Sequence, residues 1–295
     1  MHAHTPHAGD RGRRALAIAI ALNAGYTAIE ATAGMLTGSL ALLADAAHNL
    51  SDVLALAVAL VAALLTRRLP TPARSFGLMR AEILSALFNG VLVAAVSVWI
   101  GVEAIRRLGD APPIEGGWLV AVASAGIAVN ALAAAILLRS ARDNLNLRAS
   151  VVHLGADALA SAGVVVAGLL ILVTGWQIVD PIVGVLIGLV VLVGSWGVVR
   201  DAVHVLLEGA PRGIDTAAVG TRLASVPGVR DVHDLHVWEI TSGFPALSAH
   251  VRVEPGGDCH GIRRILERAL ADEFGIEHTT LQVDHAQPEL IQIRR

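Results

Sequence analysis

Six apolar stretches, each long enough to cross a hydrocarbon core, constrain this chain more than any other feature. They run roughly over 15–36, 40–65, 82–105, 117–138, 150–174 and 182–206. A bilayer core of about 30 Å takes about 20 residues of helix. Lipid offers backbone groups no partner, so each stretch is expected to be helical throughout. The composition agrees: 55% of residues are hydrophobic and 16% charged, with a mean hydropathy of +0.65, whereas a soluble domain carries about 25% charge. The first stretch contains Asn23 and Glu30 and leads through a Leu36-Thr37-Gly38-Ser39 turn into the second, so it reads as a retained span and not as a cleaved leader.

All 22 basic residues are arginine, and their placement sets the expected topology. Arg11, Arg13 and Arg14 precede the first span. Arg67, Arg68, Arg74 and Arg80 separate spans two and three, and Arg139, Arg142 and Arg148 separate spans four and five. The positive-inside rule puts these segments and both termini in the cytoplasm, with only Arg106 and Arg107 opposite. Spans two and five then run antiparallel. No basic cluster interleaves with aromatics, which argues against a nucleic-acid partner.

Within these apolar stretches two identical pairs recur, His48 with Asp52 and His153 with Asp157. Residues four apart lie on one helix face, so each pair aims an imidazole and a carboxylate at a common point. An ionisable group at a helix centre opposes insertion by roughly 2.5–3.5 kcal/mol. Two matched pairs are better explained as four ligands of one metal ion than as interhelical hydrogen bonds. The single cysteine, Cys259, excludes a disulfide framework, a four-cysteine zinc site and a thiolate-lined copper path, so the site must be built from His, Asp and Glu. Two imidazoles and two carboxylates suit tetrahedral zinc; cadmium, cobalt and ferrous iron remain open. Span five is expected to begin near Asn144, with Arg148 in a wet vestibule. Asp45, one turn before His48, reads as a partner that orients the imidazole. Asn23, Glu30, Glu82 and Glu103 read as structural hydrogen-bonding groups, and Gly34-x-x-x-Gly38 and Gly184-x-x-x-Gly188 permit close helix approach.

Two rival classes fare worse. A membrane metalloenzyme would need a general base beside the metal, and no His-Glu-x-x-His occurs. A passive channel would need weaker binding than a closed four-ligand cage gives.

After Glu208 the pattern becomes that of a small α/β module in the order αββαβ. Helices are expected over 215–225 and 259–274, the second capped by Asp258, and strands over 232–240, 246–253 and 279–284. Six of the 12 histidines lie here: His233, His236, His250, His260, His278 and His285. They read equally as exposed imidazoles and as a cytoplasmic metal site drawn from His233, His250, His260 and Asp284, with Cys259 a further candidate. Period-two alternation would turn His233 and His236 to opposite faces unless a bulge intervenes. His2, His4 and His7 form a short histidine-bearing N-terminal segment.

The segments Gly-Ser-Leu-Ala-Leu-Leu-Ala-Asp-Ala-Ala-His-Asn-Leu-Ser-Asp (38–52), Gly-Leu-Met-Arg-Ala-Glu-Ile-Leu (77–84), His-Leu-Gly-Ala-Asp-Ala-Leu-Ala-Ser (153–161), Val-Asp-Pro-Ile-Val-Gly (179–184) and His-Asp-Leu-His-Val-Trp (233–238) resemble the cation diffusion facilitator family. The likeness is greatest to its bacterial zinc, cadmium and cobalt efflux branch and to vertebrate zinc transporters. The resemblance implies a homodimer in the inner (plasma) membrane, with six transmembrane helices per protomer and a ferredoxin-like, metallochaperone-type cytoplasmic domain. It implies a proton-coupled antiporter, not an enzyme, that exports zinc or a similar divalent cation and needs no cofactor beyond the ion it carries. By position it implies a transport site of His48, Asp52, His153 and Asp157, and a cytoplasmic site of His233, His250, His260 and Asp284, with Gln282 possible. The expected division is a cytoplasmic tail 1–14, a transport domain 15–208 and a regulatory, dimerising domain 209–295. The loop of residues 66–80 has no His or Asp, so the loop metal site of some family members is not expected.

Overall fold

Leucine-, valine- and alanine-rich sequence, with proline only in the first turn of the last element, folds into six long helices: α1 His7–Thr37, α2 Leu40–Leu65, α3 Ala81–Arg107, α4 Gly116–Leu138, α5 Leu145–Thr174 and α6 Val179–Leu206. The structure, a computed structural model, describes residues 7–65, 71–109, 111–138 and 145–286. His2, His4, Arg67, Arg68, Arg139 and Arg142 lie outside the described residues, as does the side chain of Arg148. Among the described residues α3, α4, residues Val151–Thr174 of α5, and α6 are long and apolar enough to cross a membrane. α1 and α2 are also long, at 31 and 26 residues, and carry polar groups of the site. α1 begins at His7, well before the expected start at residue 15. α5 begins at Leu145, which places His153 about two turns inside it.

The chain divides into two compact units, residues 1–60 with 88–199 and residues 61–87 with 200–295. In the first, Gly38 turns the chain between α1 and α2 at φ 70°, a conformation a Cβ would oppose. The start of α2 is then held from α6. Asp180, fully buried, accepts hydrogen bonds from Ser39 Oγ at 2.5 Å, Leu40 N at 2.8 Å and Ala41 N at 3.2 Å. A carboxylate on the open N–H groups of a helix start satisfies donors that the helix itself cannot. Gly184, one turn on, lets α6 approach closely: a Cβ there would lie 3.0 Å from Leu40. An apolar cluster of Tyr26, Leu42, Leu119, Val164 and Ile171 packs α1, α2, α4 and α5 together.

In the second unit α7 Thr216–Ala224, β1 Val229–Glu239, β2 Pro245–Val253, α8 Cys259–Phe274 and β3 His278–His285 follow in the αββαβ order. β1 and β2 are antiparallel, and β3 joins β2 in parallel. Asp215 and Asp258 cap α7 and α8 through the N–H groups of Ala217 and Gly261. Leu247, Ala249, Val251 and Val253 alternate inward along β2 and pack with Val219, Leu223, Leu266 and Leu270 of the helices. His250 and Arg252 consequently occupy the other face.

The pairing register of β1 shifts at two places, between Val229 and Asp231 and between His233 and His236, and the second falls between the two histidines. The pairing steps from His233↔His250 to His236↔Ser248, three residues against two, and Asp234 takes φ 53°. This bulge returns His233 and His236 to the same face, where period two would have separated them.

Candidate metal centre

The two His-x-x-x-Asp pairs meet in the first unit. His48 Nε2 lies 3.2 Å from Asp157 Oδ1 and His153 Nε2 lies 3.1 Å from Asp52 Oδ2. Within each helix the separations are longer, 3.9 Å for His48 to Asp52 and 3.8 Å for His153 to Asp157. Each imidazole therefore faces the carboxylate of the other helix more closely than its own. With Ser161 Oγ also 2.9 Å from Asp45 Oδ2, the contacts descend α5 as they ascend α2, so the two helices run antiparallel here.

Ligands about 2.0–2.1 Å from a tetrahedral zinc stand about 3.3 Å from one another. The four separations of 3.1–3.9 Å bracket that edge. One ligand atom each from His48, Asp52 and Asp157 lies within 4.8 Å of the others, the only such group of three or more among the described residues. His153 stands outside that set yet approaches both carboxylates. Asp157 is 1% exposed and His153 48%, so the site is closed on one side and open on the other. Asp157 Oδ2 and Asp52 Oδ2 are buried without a hydrogen-bond donor; His153 Nε2, though near the latter, is off the hydrogen-bonding direction. Buried carboxylate lone pairs without donors suit a cation. Two neutral imidazoles and two carboxylates leave a divalent ion with no net charge, which suits an apolar setting.

A polar network adjoins this cage. Tyr26 donates to Glu30 Oε1 at 2.7 Å and Asn49 Nδ2 to Glu30 Oε2 at 2.9 Å, with both acids fully buried at Glu30 and Asp45. Asp45 accepts from Ser161, and no hydrogen bond joins it to the His48 ring in the structure. Glu103 pairs with Arg107, which also donates to the Gly38 carbonyl. Asn23 is buried, and its carbonyl accepts from Thr27.

In the second unit the rings of His233 and His250 pack edge to face at 5.4 Å, and His250 stands in register with Gln282 of β3. Gln282 donates to Asp284 at 2.7 Å. His260 lies exposed in the first turn of α8, and neither it nor Asp284 joins His233 and His250 in a close ligand group among the described residues. Two contacts had no sequence signal beyond residue type. Asp234 on the bulge bridges His236 at 3.0 Å and His250 at 3.8 Å, and the His236 hydrogen bond holds its carboxyl below the usual range. Cys259 Sγ lies 3.5 Å from His285 Nε2. Glu82, in the first turn of α3, accepts from Thr241 at 2.9 Å.

Comparison with known proteins covers nearly the whole chain. Residues 16–207 match the model described as cation efflux transmembrane domain, and residues 211–286 match ZT_dimer, described as cation efflux protein, cytoplasmic domain. A cadmium, cobalt and zinc/H(+)-K(+) antiporter of Bacillus velezensis is 39% identical over 97% of this chain and 92% of its own length. Zinc transporter ZitB of Escherichia coli is 38% identical over 96% and 92%. Metal cation efflux system protein CzcD of Cupriavidus metallidurans is 38% identical over 98% and 91%.

Proposed function

The chain belongs to the cation efflux family, and from that premise we propose that it is a proton-coupled antiporter exporting divalent transition-metal cations, zinc foremost. It is a multi-pass inner-membrane transporter, not an enzyme, and works as a homodimer. The transported ion is held by His48, Asp52, His153 and Asp157. What carries this assignment is the cross-pairing of the two helices, His48 to Asp157 at 3.2 Å and His153 to Asp52 at 3.1 Å. The same chemistry leaves cadmium and cobalt as further substrates.

Coupling follows from the ligands. Metal binding needs neutral imidazoles and ionised carboxylates, so protons arriving from outside compete with the ion and promote its release. His48 and His153, the side-chain type that exchanges protons nearest neutral pH, are suited to carry those protons. The arginine distribution supports cytoplasmic termini, an N-terminal tail over 1–14, a transport domain over 15–208 and a regulatory, dimerising domain over 209–295. For that domain the facing rings of His233 and His250 support a second metal site, to which His260 and Asp284 would have to move.

The test is zinc uptake into proteoliposomes under an imposed pH gradient, comparing the native chain with His153→Ala. Gradient-driven uptake that the substitution abolishes is expected. Uptake indifferent to both gradient and substitution overturns the reading.

A further inference from the structure

Beside the metal cage, and containing none of its ligands, lie two acids whose surroundings are incomplete. Glu30 of α1 and Asp45 of α2 are both 0% exposed, and Asn49, one helical turn after Asp45 on the same face of α2, donates to Glu30 and so brings it to that face. Donors reach three of their four carboxylate oxygens: Tyr26 Oη to Glu30 Oε1, Asn49 Nδ2 to Glu30 Oε2 and Ser161 Oγ to Asp45 Oδ2. Asp45 Oδ1 has no donor among the described residues, and the fully buried Asn49 leaves its Oδ1 unpartnered beside the pair. Ionised carboxylates only accept, which leaves Asp45 Oδ1 and Asn49 Oδ1 without a donor, and a proton on one of the acids supplies it. Two ionised carboxylates side by side in an apolar interior would repel, and no arginine contacts them among the described residues.

We propose that Glu30 and Asp45 together bind one exchangeable proton, forming a proton site of the transport cycle distinct from the metal ligands. Tyr26 of α1, Asn49 of α2 and Ser161 of α5 bond the pair, and His48 and Asp157 are the titratable groups next to it along α2 and α5, so it senses the cage from both of the helices that build it. From Asp45 to His48, and from Ser161 to Asp157, is one helical turn. Zinc in the cage adds two positive charges one turn away. The shared proton then leaves for water, the acid–carboxylate pair becoming two carboxylates. Zinc release allows the pair to be protonated again. This inference rests on the transport reading above.

The experiment is calorimetric zinc titration of the full-length dimer in lipid at about pH 8, in buffers of different ionisation heat. It returns the protons released per zinc bound. Glu30→Gln keeps the shape and offers Asp45 a permanent donor, so zinc binding should persist with about one proton fewer released. Asp45→Asn should show the same loss. An unchanged proton count in either variant overturns the proposal, as does loss of all zinc binding in a folded dimer, which would make the pair scaffolding. Infrared difference spectra of the native protein provide a reading independent of any variant: zinc must deplete a protonated-carboxyl C=O band, and no depletion refutes the idea. His153→Ala in parallel separates the two readings. If its zinc binding equals native, the transport site itself is wrong; if it falls while Glu30→Gln still releases the native number, only the proton pair is wrong.

Discussion

Removing the Asp180 carboxylate should destabilise the membrane unit in a graded way. In Asp180→Ala the N–H groups of Leu40 and Ala41 lose their acceptor inside the protein. Each buried donor left open costs about 1–2 kcal/mol. The loss of a negative charge at the start of α2 adds about 1 kcal/mol. The sum is about 4 kcal/mol. Asp180→Asn keeps one oxygen but turns an N–H₂ toward one of the donors, so about 2 kcal/mol is expected. For a unit of this size that corresponds to roughly 10 °C and 5 °C in unfolding temperature, by analogy with soluble domains. Thermal unfolding of the detergent-solubilised dimer reads both, and because α2 carries His48 and Asp52, zinc affinity should weaken in the same order. An alanine variant within about 2 °C of native, or an asparagine variant less stable than alanine, would refute the capping argument.

Other outcomes follow from the same contacts. Asp157→Ala should abolish gradient-driven zinc uptake in a folded dimer and weaken binding roughly a hundredfold, since about 10–16 kcal/mol of zinc affinity divides among four ligands. Retained native flux would remove Asp157 from the site. Leu270→Ala, at a fully buried position between α8 and the sheet, should cost about 2–5 kcal/mol in the second unit, read by urea unfolding; a change below about 1 kcal/mol would contradict the packing. The depressed pKa of Asp234 has a definite sign. Its stabilisation is present above the unfolded value of about 4 and is lost as pH falls through the folded value. The stability difference between native and His236→Gln should therefore shrink as pH falls below about 4 and be small throughout, because the pair is exposed. A difference that grows below pH 4 would reverse the argument.

The sequence announces the membrane helices and the αββαβ order because apolar length and period are local properties. It also marks His48, Asp52, His153 and Asp157, since four-residue spacing on a helix is a geometric statement in itself. What it does not carry is register between helices. Nothing local says that His48 would stand nearer Asp157 than Asp52, or that Asp45 would bond Ser161 and adjoin Glu30 where an imidazole contact was expected. Asp180 is conspicuous beside Pro181, yet its role at Leu40 depends on contact across 140 positions. The bulge at Asp234 breaks the alternation used to separate His233 from His236, and its positive φ leaves no mark in a residue type that strands merely disfavour. The early start of α1 shows the same limit, because helix ends are set by hydrogen bonds as much as by polarity.

The central claim is that α2 and α5 build one four-ligand site. X-ray absorption of the zinc-loaded dimer tests it most directly, with His204, His233, His236, His250, His260, His278 and His285 replaced so that the second unit supplies no imidazole. The account predicts one zinc per protomer with four nitrogen or oxygen neighbours at about 2.0 Å, two of them imidazole, and loss of that shell in His153→Ala. A six-coordinate oxygen shell, or one that survives His153→Ala unchanged, would contradict it.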